Sequence, residues 1–99
     1  MDIGQAIRKL RLKCNRMSQA ELGEKCGGVS ANTISSWETG KAYPPKSSIV
    51  SLCQAFGISQ AQFQLEAIEE SDFPEEKRIL YRAMLEPMRN ELLEGVREN

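Results

Sequence analysis

The chain has 99 residues, which is room for one small domain and a short extension but not for a dehydrogenase-type or barrel-type catalytic fold. Hydrophobic residues make up 40% of it and charged residues 27%, a balance typical of a folded globular protein. No apolar run approaches the roughly 18 residues of a membrane span, and no signal peptide is visible, so we expect a cytoplasmic protein with no membrane partner. Three cysteines without a histidine predict reduced thiols, no metal site and no cofactor.

The net charge of −1 conceals a strong asymmetry along the chain. Residues 1–46 carry eight Lys or Arg against four acids, a net charge of +4. Residues 47–99 carry five bases against ten acids, a net charge of −5. Such a chain is able to present a positive face to phosphates while the rest stays acidic, although solvated charges without a partner would give the same counts.

Apolar residues recur at spacings of three and four, and no alternating strand pattern is present, so the sequence predicts an all-α fold. We expect a first helix over about 3–13, a third over about 31–38 and a fourth from about 45 or 46 to 56. Two capping boxes, Ser18–Glu21 and Ser59–Gln62, predict the starts of the second and fifth helices. Gly40 suits the left-handed position after the third helix.

A polar joint over 69–73 separates this part from a C-terminal helical segment over 74–97, called the arm below. Pro74, followed by two acids, is a strong helix start. Pro87 lies inside the helical pattern with no turn residue beside it, so we expect a helix kinked near Pro87, or two abutting helices, instead of a loop. An apolar stripe follows the arm at intervals of four residues: Leu80, Met84, Met88 and Leu92.

Four spaced motifs carry a family resemblance. They are Ile3-Gly4-x-x-Ile7-Arg8-x-Leu10-Arg11, Met17-Ser18-Gln19-Ala20-Glu21-Leu22, Val29-Ser30-x-x-x-Ile34-Ser35-x-Trp37-Glu38-Thr39-Gly40-Lys41-x-x-Pro44, and Leu52-Cys53-x-Ala55-Phe56-Gly57-Ile58-Ser59. In this order, over about residues 3–66, they resemble the xenobiotic-response-element/Cro/phage-repressor family of helix-turn-helix domains, which are lambda-repressor-like. The sequence departs from the family in its doubled Gly27-Gly28 and in a stretch between Arg11 and Ser18 that is one residue longer.

The resemblance implies a five-helix DNA-binding domain over 1–68, with the second helix across the DNA backbone and the third in the major groove. If Ile34 and Trp37 point inward, the outward residues of the third helix are the expected base contacts: Ala31, Asn32, Ser35 and Ser36. Asn32 is the sharpest candidate, because one carboxamide pairs with both N6 and N7 of adenine. No arginine lies over 31–36, so guanine readout by this helix is expected to be weak.

Phosphate contacts are expected at helix N-termini, where free amides and the helix dipole favour anions, and from the connector after the third helix. The candidates are Ser18, Gln19, Thr33, Lys41, Tyr43 and Lys46. For Lys41 and Lys46, solvation alone is an equal alternative. In relatives an arginine of the first helix pairs with the glutamate that closes the third, so the resemblance assigns Arg11 and Glu38 to a structural clamp, while Trp37 is expected in the core.

One amphipathic helix cannot bury the arm's stripe alone. We expect it to form a dimer interface through Leu80, Met84, Met88 and Leu92, since two recognition helices about 34 Å apart read a palindromic site. The alternative is that the arm packs back onto the fourth and fifth helices.

The expected function is a sequence-specific, DNA-binding transcriptional regulator, a repressor that binds a palindromic operator as a dimer. The alternative is an antitoxin-like or adaptor protein whose acidic arm binds a protein partner. An enzyme is not expected, because the sequence offers no glycine-rich phosphate loop and no nucleophile–base pair.

Overall fold

The computed structural model describes residues 1–91 with their side chains and the backbone alone over 92–95, so the side chain of Leu92 and the last residues of the arm lie outside the described residues. Five helices form the N-terminal domain: α1 (Ile3–Lys13), α2 (Gln19–Lys25), α3 (Ala31–Glu38), α4 (Lys46–Phe56) and α5 (Gln60–Ala67). Residues 1–95 contain no strand, and no helix among them is both long and apolar enough to cross a bilayer. The predicted all-α fold is confirmed.

A single apolar core joins the five helices, and α1 runs through its middle in contact with α3, α4 and α5. The largest fully buried side chains come from four of the helices: Ile7, Leu10, Leu22, Ile34 and Leu52. Trp37 is 5% exposed and closes the core under α3, as expected. Burial of these side chains fixes which side of each helix remains outside.

The predicted helix starts are present with their hydrogen bonds. Ser18 Oγ accepts from Glu21 N at 3.0 Å, and Glu21 Oε1 accepts from Ser18 N at 3.1 Å. Ser59 and Gln62 form the equivalent pair of bonds at the start of α5, with distances of 3.1 and 2.8 Å. These local bonds satisfy amides that the first helical turn leaves free, which is why α2 and α5 begin where the sequence places them.

The two turns that were expected from the resemblance to be longer than in the family both have left-handed backbone. Asn15 and Arg16 have φ angles of 60° and 51° between α1 and α2. Gly27 and Gly28 have φ angles of 89° and 94° between α2 and α3. Both pairs of residues lie between helices, outside α1, α2 and α3.

Gly4 brings α1 against the end of α3. A Cβ at this position would lie 2.5 Å from the carbonyl oxygen of Trp37 and 2.6 Å from that of Glu38. Gly23 makes a similar close approach to the carbonyl of Val29, whose amide donates to Gly23 O at 2.9 Å. Both glycines allow a neighbouring backbone to approach more closely than any larger residue would.

The arm is helical through Pro87 without a loop, but its start differs from the prediction. The expected polar joint holds a 3₁₀ turn at Glu70–Asp72, and a second at Glu75–Lys77 follows Pro74. The helix then runs as α6 (Arg78–Leu80), a π-helical turn (Tyr81–Leu85) and α7 (Glu86–Gly95). The π turn lies just before Pro87, whose ring would clash with the carbonyl four residues earlier in a regular α-helix.

The arm folds back onto the domain along one of its faces. α7 contacts α1 and α5, whereas the alternative considered from the sequence was α4 and α5. Tyr81 is 3% exposed, with the Phe73 ring centroid 5.5 Å from its own. Arg89 places its guanidinium 5.7 Å from the Tyr81 ring centroid and donates to Ile68 O at 2.8 Å. These contacts fix the arm without using Leu80, Met84 or Met88 of its apolar stripe.

The three stripe residues whose side chains the structure describes stay on the surface. Leu80, Met84 and Met88 are 55%, 61% and 51% exposed, and the neighbouring Ile79 is 71% exposed. A groove of about 270 Å³ runs beside them, and its lining is almost wholly apolar: Phe73, Lys77, Leu80, Tyr81, Met84 and Leu85. The arm therefore packs on the domain with one face and presents an apolar face to solvent with another.

Candidate nucleic-acid interface

The outer side of α3 carries the four residues expected to contact bases. Ile34 is fully buried and Trp37 nearly so, which turns the opposite side of the helix outward. Asn32 in the first turn is exposed, whereas Ala31, Ser35 and Ser36 are half-buried. The structure thus places these small polar and apolar side chains together on one helix, with Asn32 extending farthest into solvent.

An ion pair ties the end of α3 to α1. Arg11 Nε donates to Glu38 Oε2 at 2.6 Å, and Arg11 Nη2 donates to Glu38 Oε1 at 3.1 Å. The two side chains are 9% and 2% exposed, so the pair is nearly dry. Arg11 Nη1 also donates to the carbonyl of Met17 at 2.7 Å. One guanidinium therefore joins α1, the turn before α2 and the end of α3.

Gln19 is a third member of this cluster, which sequence reasoning missed. Its Nε2 donates to Glu38 Oε1 at 3.1 Å, linking the first residue of α2 to the last residue of α3. The sequence marked Gln19 as a phosphate contact only. Its second Nε2–H is left to serve an oxygen from outside, so the observed bond and a phosphate contact are compatible. The spacing of 19 residues between the partners gives no local signal of their contact.

The remaining expected phosphate contacts lie at helix starts and in the connector. Ser18 accepts from Glu21 N, and its hydroxyl is thus part of the α2 cap. Thr33 is exposed, but its Oγ1 lies 2.9 Å from Ser30 Oγ within the cap of α3. Lys41 and Lys46 are exposed, and Tyr43 is 75% exposed on the connector between α3 and α4. The two cations and the phenol are therefore accessible in the connector between α3 and α4 and at the first residue of α4.

Three titratable groups of the domain, Glu21, Cys26 and Cys53, have pKa values that their surroundings shift. Hydrogen bonds from the Ser18 backbone and hydroxyl lower the pKa of Glu21 and keep it ionised in the α2 cap. Burial raises the pKa of the Cys26 and Cys53 thiols, which keeps them protonated and weakly nucleophilic. Over the described residues, no group of three or more Cys, Asp or Glu is arranged to hold a metal ion.

A comparison with protein families agrees with this geometry. The helix-turn-helix model (HTH_3), which covers Cro/C1-type and lambda-repressor-like domains, matches residues 7–62, more than half of the chain. No curated protein and no solved structure gives a significant match. The matched segment includes the Arg11–Gln19–Glu38 cluster and the whole of α3. Domains of this family are DNA-binding and regulate transcription, and the chain belongs to the Cro/C1-type helix-turn-helix family.

Proposed function

We propose that the protein is a transcriptional repressor that binds a palindromic operator as a dimer and reads each half-site through α3. The observation that carries the proposal is the placement of Asn32. Its side chain is exposed in the first turn of a helix whose other side is buried and whose end is held by Arg11. A recognition helix needs this combination of a fixed orientation and free polar groups to select a base sequence.

The proposal gives the interface two kinds of contact. Base edges are met by the outer residues of α3, which are Ala31, Asn32, Ser35 and Ser36. The sugar-phosphate backbone is met by the helix starts and the connector through Ser18, Gln19, Thr33, Lys41, Tyr43 and Lys46. Phosphate contacts fix the register of the domain on the duplex, and base contacts supply the discrimination.

Dimer formation is assigned to the arm. Leu80, Met84 and Met88 expose an apolar face on a helix that is already docked to the domain through Tyr81 and Arg89. Association of two such faces removes them from water, and Leu92 continues the same sequence interval. A two-fold dimer then presents two copies of α3 to a palindrome, which raises affinity through effective concentration.

Selection of duplexes from a random pool tests the DNA-binding part of the proposal. The wild-type chain is expected to enrich one palindromic sequence, whereas Asn32→Ala binds that sequence with reduced discrimination between it and its point variants. Gln64→Ala, an exposed change on α5 away from α3, is the matched control and should behave as the wild type. Unchanged discrimination in Asn32→Ala would show that α3 is not the reader.

The oligomeric state tests the role of the arm. The wild-type chain is expected to have twice the chain mass of 11.1 kDa, and the double variant Leu80→Glu/Met84→Glu is expected to have the mass of one chain. Asn90→Glu adds a charge to an exposed polar position of α7 and should leave the dimer intact. A monomeric wild-type chain at micromolar concentration would contradict the dimer.

A promoter reporter tests repression. Its expression should fall when the selected operator overlaps the promoter and the protein is present.

The exposed face of the arm also supports a second candidate function, an antitoxin-like or adaptor protein. Here the face and its groove bind a different, basic protein, since the chain from residue 47 onward carries a net charge of −5 from ten acids and five bases. A stoichiometric complex with such a protein that Leu80→Glu/Met84→Glu fails to form, alongside a monomeric free chain, would favour this function over the repressor dimer.

A further inference from the structure

We infer that the operator half-site consists of A·T base pairs where α3 meets it, with an adenine opposite Asn32. The inference rests on the proposed function and adds the chemical class of sequence that the same site selects. It follows from asking which base edges the side chains of α3 are able to bind, given the hydrogen bonds those side chains already make.

Guanine has no bidentate, cationic reader on α3. Its O6 and N7 are both acceptors, and the side chains that donate to both are arginine and lysine. The sequence contains no arginine or lysine between Lys25 and Lys41, so no cation lies on α3 or in the turn before it. Lys41 lies beyond the helix end, on the connector.

Cytosine has no carboxylate reader on α3, and the evidence for this comes from the structure. The N4 amino group of cytosine is read by a carboxylate acceptor. The one acid of α3 is Glu38. It accepts hydrogen bonds from Arg11 at both carboxylate oxygens and from Gln19 at Oε1, and its side chain is 2% exposed. The clamp therefore removes the only carboxylate of the helix from the DNA surface.

Adenine and thymine fit the groups that remain. Asn32 is exposed and makes no side-chain hydrogen bond to any described residue, so its carboxamide is able to accept from N6 and donate to N7 of one adenine. The methyl group of Ala31 suits apolar contact with a thymine methyl. The hydroxyls of Ser35 and Ser36 accept or donate and therefore select no particular base, whereas the Thr33 hydroxyl is engaged in the cap of α3.

The test begins with duplex selection by the wild-type chain and by three variants, Asn32→Ala, Ser35→Ala and Ser36→Ala. Positions whose base preference changes in a variant are the pairs that α3 contacts. The inference expects A·T pairs at these positions. Replacing the adenine assigned to Asn32 by guanine should weaken wild-type binding roughly 5- to 150-fold and Asn32→Ala binding about two-fold or less.

A base analogue isolates the single contact. 7-Deazaadenine lacks the N7 acceptor but keeps the Watson–Crick edge, so at the assigned position it should weaken the wild-type chain and leave Asn32→Ala unchanged. The same analogue outside the half-site is the control and should have no effect.

The outcomes separate the inference from the proposed function. An enriched sequence with G·C pairs at the positions that α3 contacts would overturn the inference and leave the proposed function standing. An enriched sequence to which 7-deazaadenine makes no difference would overturn the assignment of Asn32 to adenine. Failure to enrich any sequence would overturn the proposed function, and the inference with it.

Discussion

Arg11 donates to three acceptors, two on Glu38 and the carbonyl of Met17, from a position that is nearly closed to water. Removing the guanidinium leaves the Glu38 carboxylate buried with Gln19 as its remaining donor. Because a buried charge that has lost its partner is far less stable than the intact pair, the cost exceeds the net value of the ion pair itself.

We therefore expect Arg11→Ala to lower the free energy of unfolding by about 3–5 kcal/mol, measured by urea denaturation. Arg8→Ala, an exposed change on the same helix, is the control and should cost about 0.5 kcal/mol or less. Equal losses in the two variants would show that the Arg11–Glu38 pair contributes nothing beyond a surface charge.

At the residue scale, Gly4→Ala is expected to lower the stability of the protein, whereas helix propensity alone predicts that it would raise it. Alanine in a helix interior is favoured over glycine by about 1 kcal/mol. At Gly4, however, the added Cβ would lie 2.5 Å from Trp37 O, which belongs to backbone that cannot move aside without shifting α3. We expect Gly4→Ala to destabilise the protein by about 1–3 kcal/mol in thermal or urea unfolding. Gln5→Ala, exposed on the next position, should be close to neutral, and a stabilised Gly4→Ala variant would contradict the close packing of α1 on α3.

At the scale of the helices, the two capping boxes differ in whether they contain an ionisable side chain. Unfolding measured at several pH values tests the effect of that difference. The box of α2 uses the ionisable Glu21, and that of α5 uses the neutral Gln62. Hydrogen bonds from Ser18 lower the pKa of Glu21 in the folded chain. A lowered pKa means that the folded state holds the proton less tightly than the unfolded state, so the cap stabilises the fold above the usual glutamate pKa of about 4.3 and loses that contribution as the pH falls.

The expected result is that the stability difference between the wild-type chain and Glu21→Gln narrows as the pH is lowered from 6 to about 3. Gln62→Glu, which converts the second box to the ionisable form, is the matched control and should acquire a pH dependence of the same sign. Urea unfolding at a series of pH values measures both. If the difference in unfolding free energy between the wild-type chain and Glu21→Gln stays constant with pH, ionised Glu21 does not stabilise the fold through its bond with Ser18.

The helices whose ends depend on neighbouring residues could be predicted from the sequence. α1 and α3 have the predicted limits, because their caps and the burial pattern of Ile34 and Trp37 are properties of short segments. The starts of α2 and α5 follow from hydrogen bonds that span three residues. A strong local signal is sufficient in these cases, since tertiary packing agrees with it.

Contacts between distant segments could not be predicted in the same way. The bond from Gln19 to Glu38 depends on how α2 crosses α3, and the approach of Gly4 to Trp37 depends on how α1 crosses it. The π turn before Pro87 was not foreseen either, because the sequence shows only that proline disturbs the regular ladder and not how the backbone adjusts. The arm is attached to the domain on one face and exposes its apolar stripe on another, and this follows from the burial of Tyr81, which lies outside the four-residue interval of the stripe.

On the scale of the whole molecule, the arm and the domain meet around a buried acid. Glu66 of α5 is 7% exposed, and Arg89 of α7 and Lys9 of α1 are the cations near it. Burial raises the pKa of Glu66 despite these two charges. The raised pKa means that the folded chain binds this proton more tightly than the unfolded chain, so stability declines as the pH rises from about 4.3 through the raised value.

Glu66→Gln should abolish this decline, because the amide is neutral at every pH and occupies almost the same volume. The measurement is the difference in unfolding free energy between variant and wild type from pH 4 to 8, which is expected to move in favour of the variant as the pH rises. Glu91→Gln, an exposed change on α7, is the control and should give a much flatter difference. A difference that moves in favour of the wild type would mean that Arg89 and Lys9 outweigh the desolvation of Glu66.

The central position of α1 has a consequence for the order in which parts of the molecule open. α1 touches α3, α4, α5 and α7, whereas the arm is attached along one face and leaves Leu80, Met84 and Met88 in solvent. The arm is therefore free to detach while the rest stays folded, but α1 cannot open without dismantling the domain. Backbone amides of α7 should exchange with deuterium early, and those of Ile7 and Leu10 should exchange only through complete unfolding.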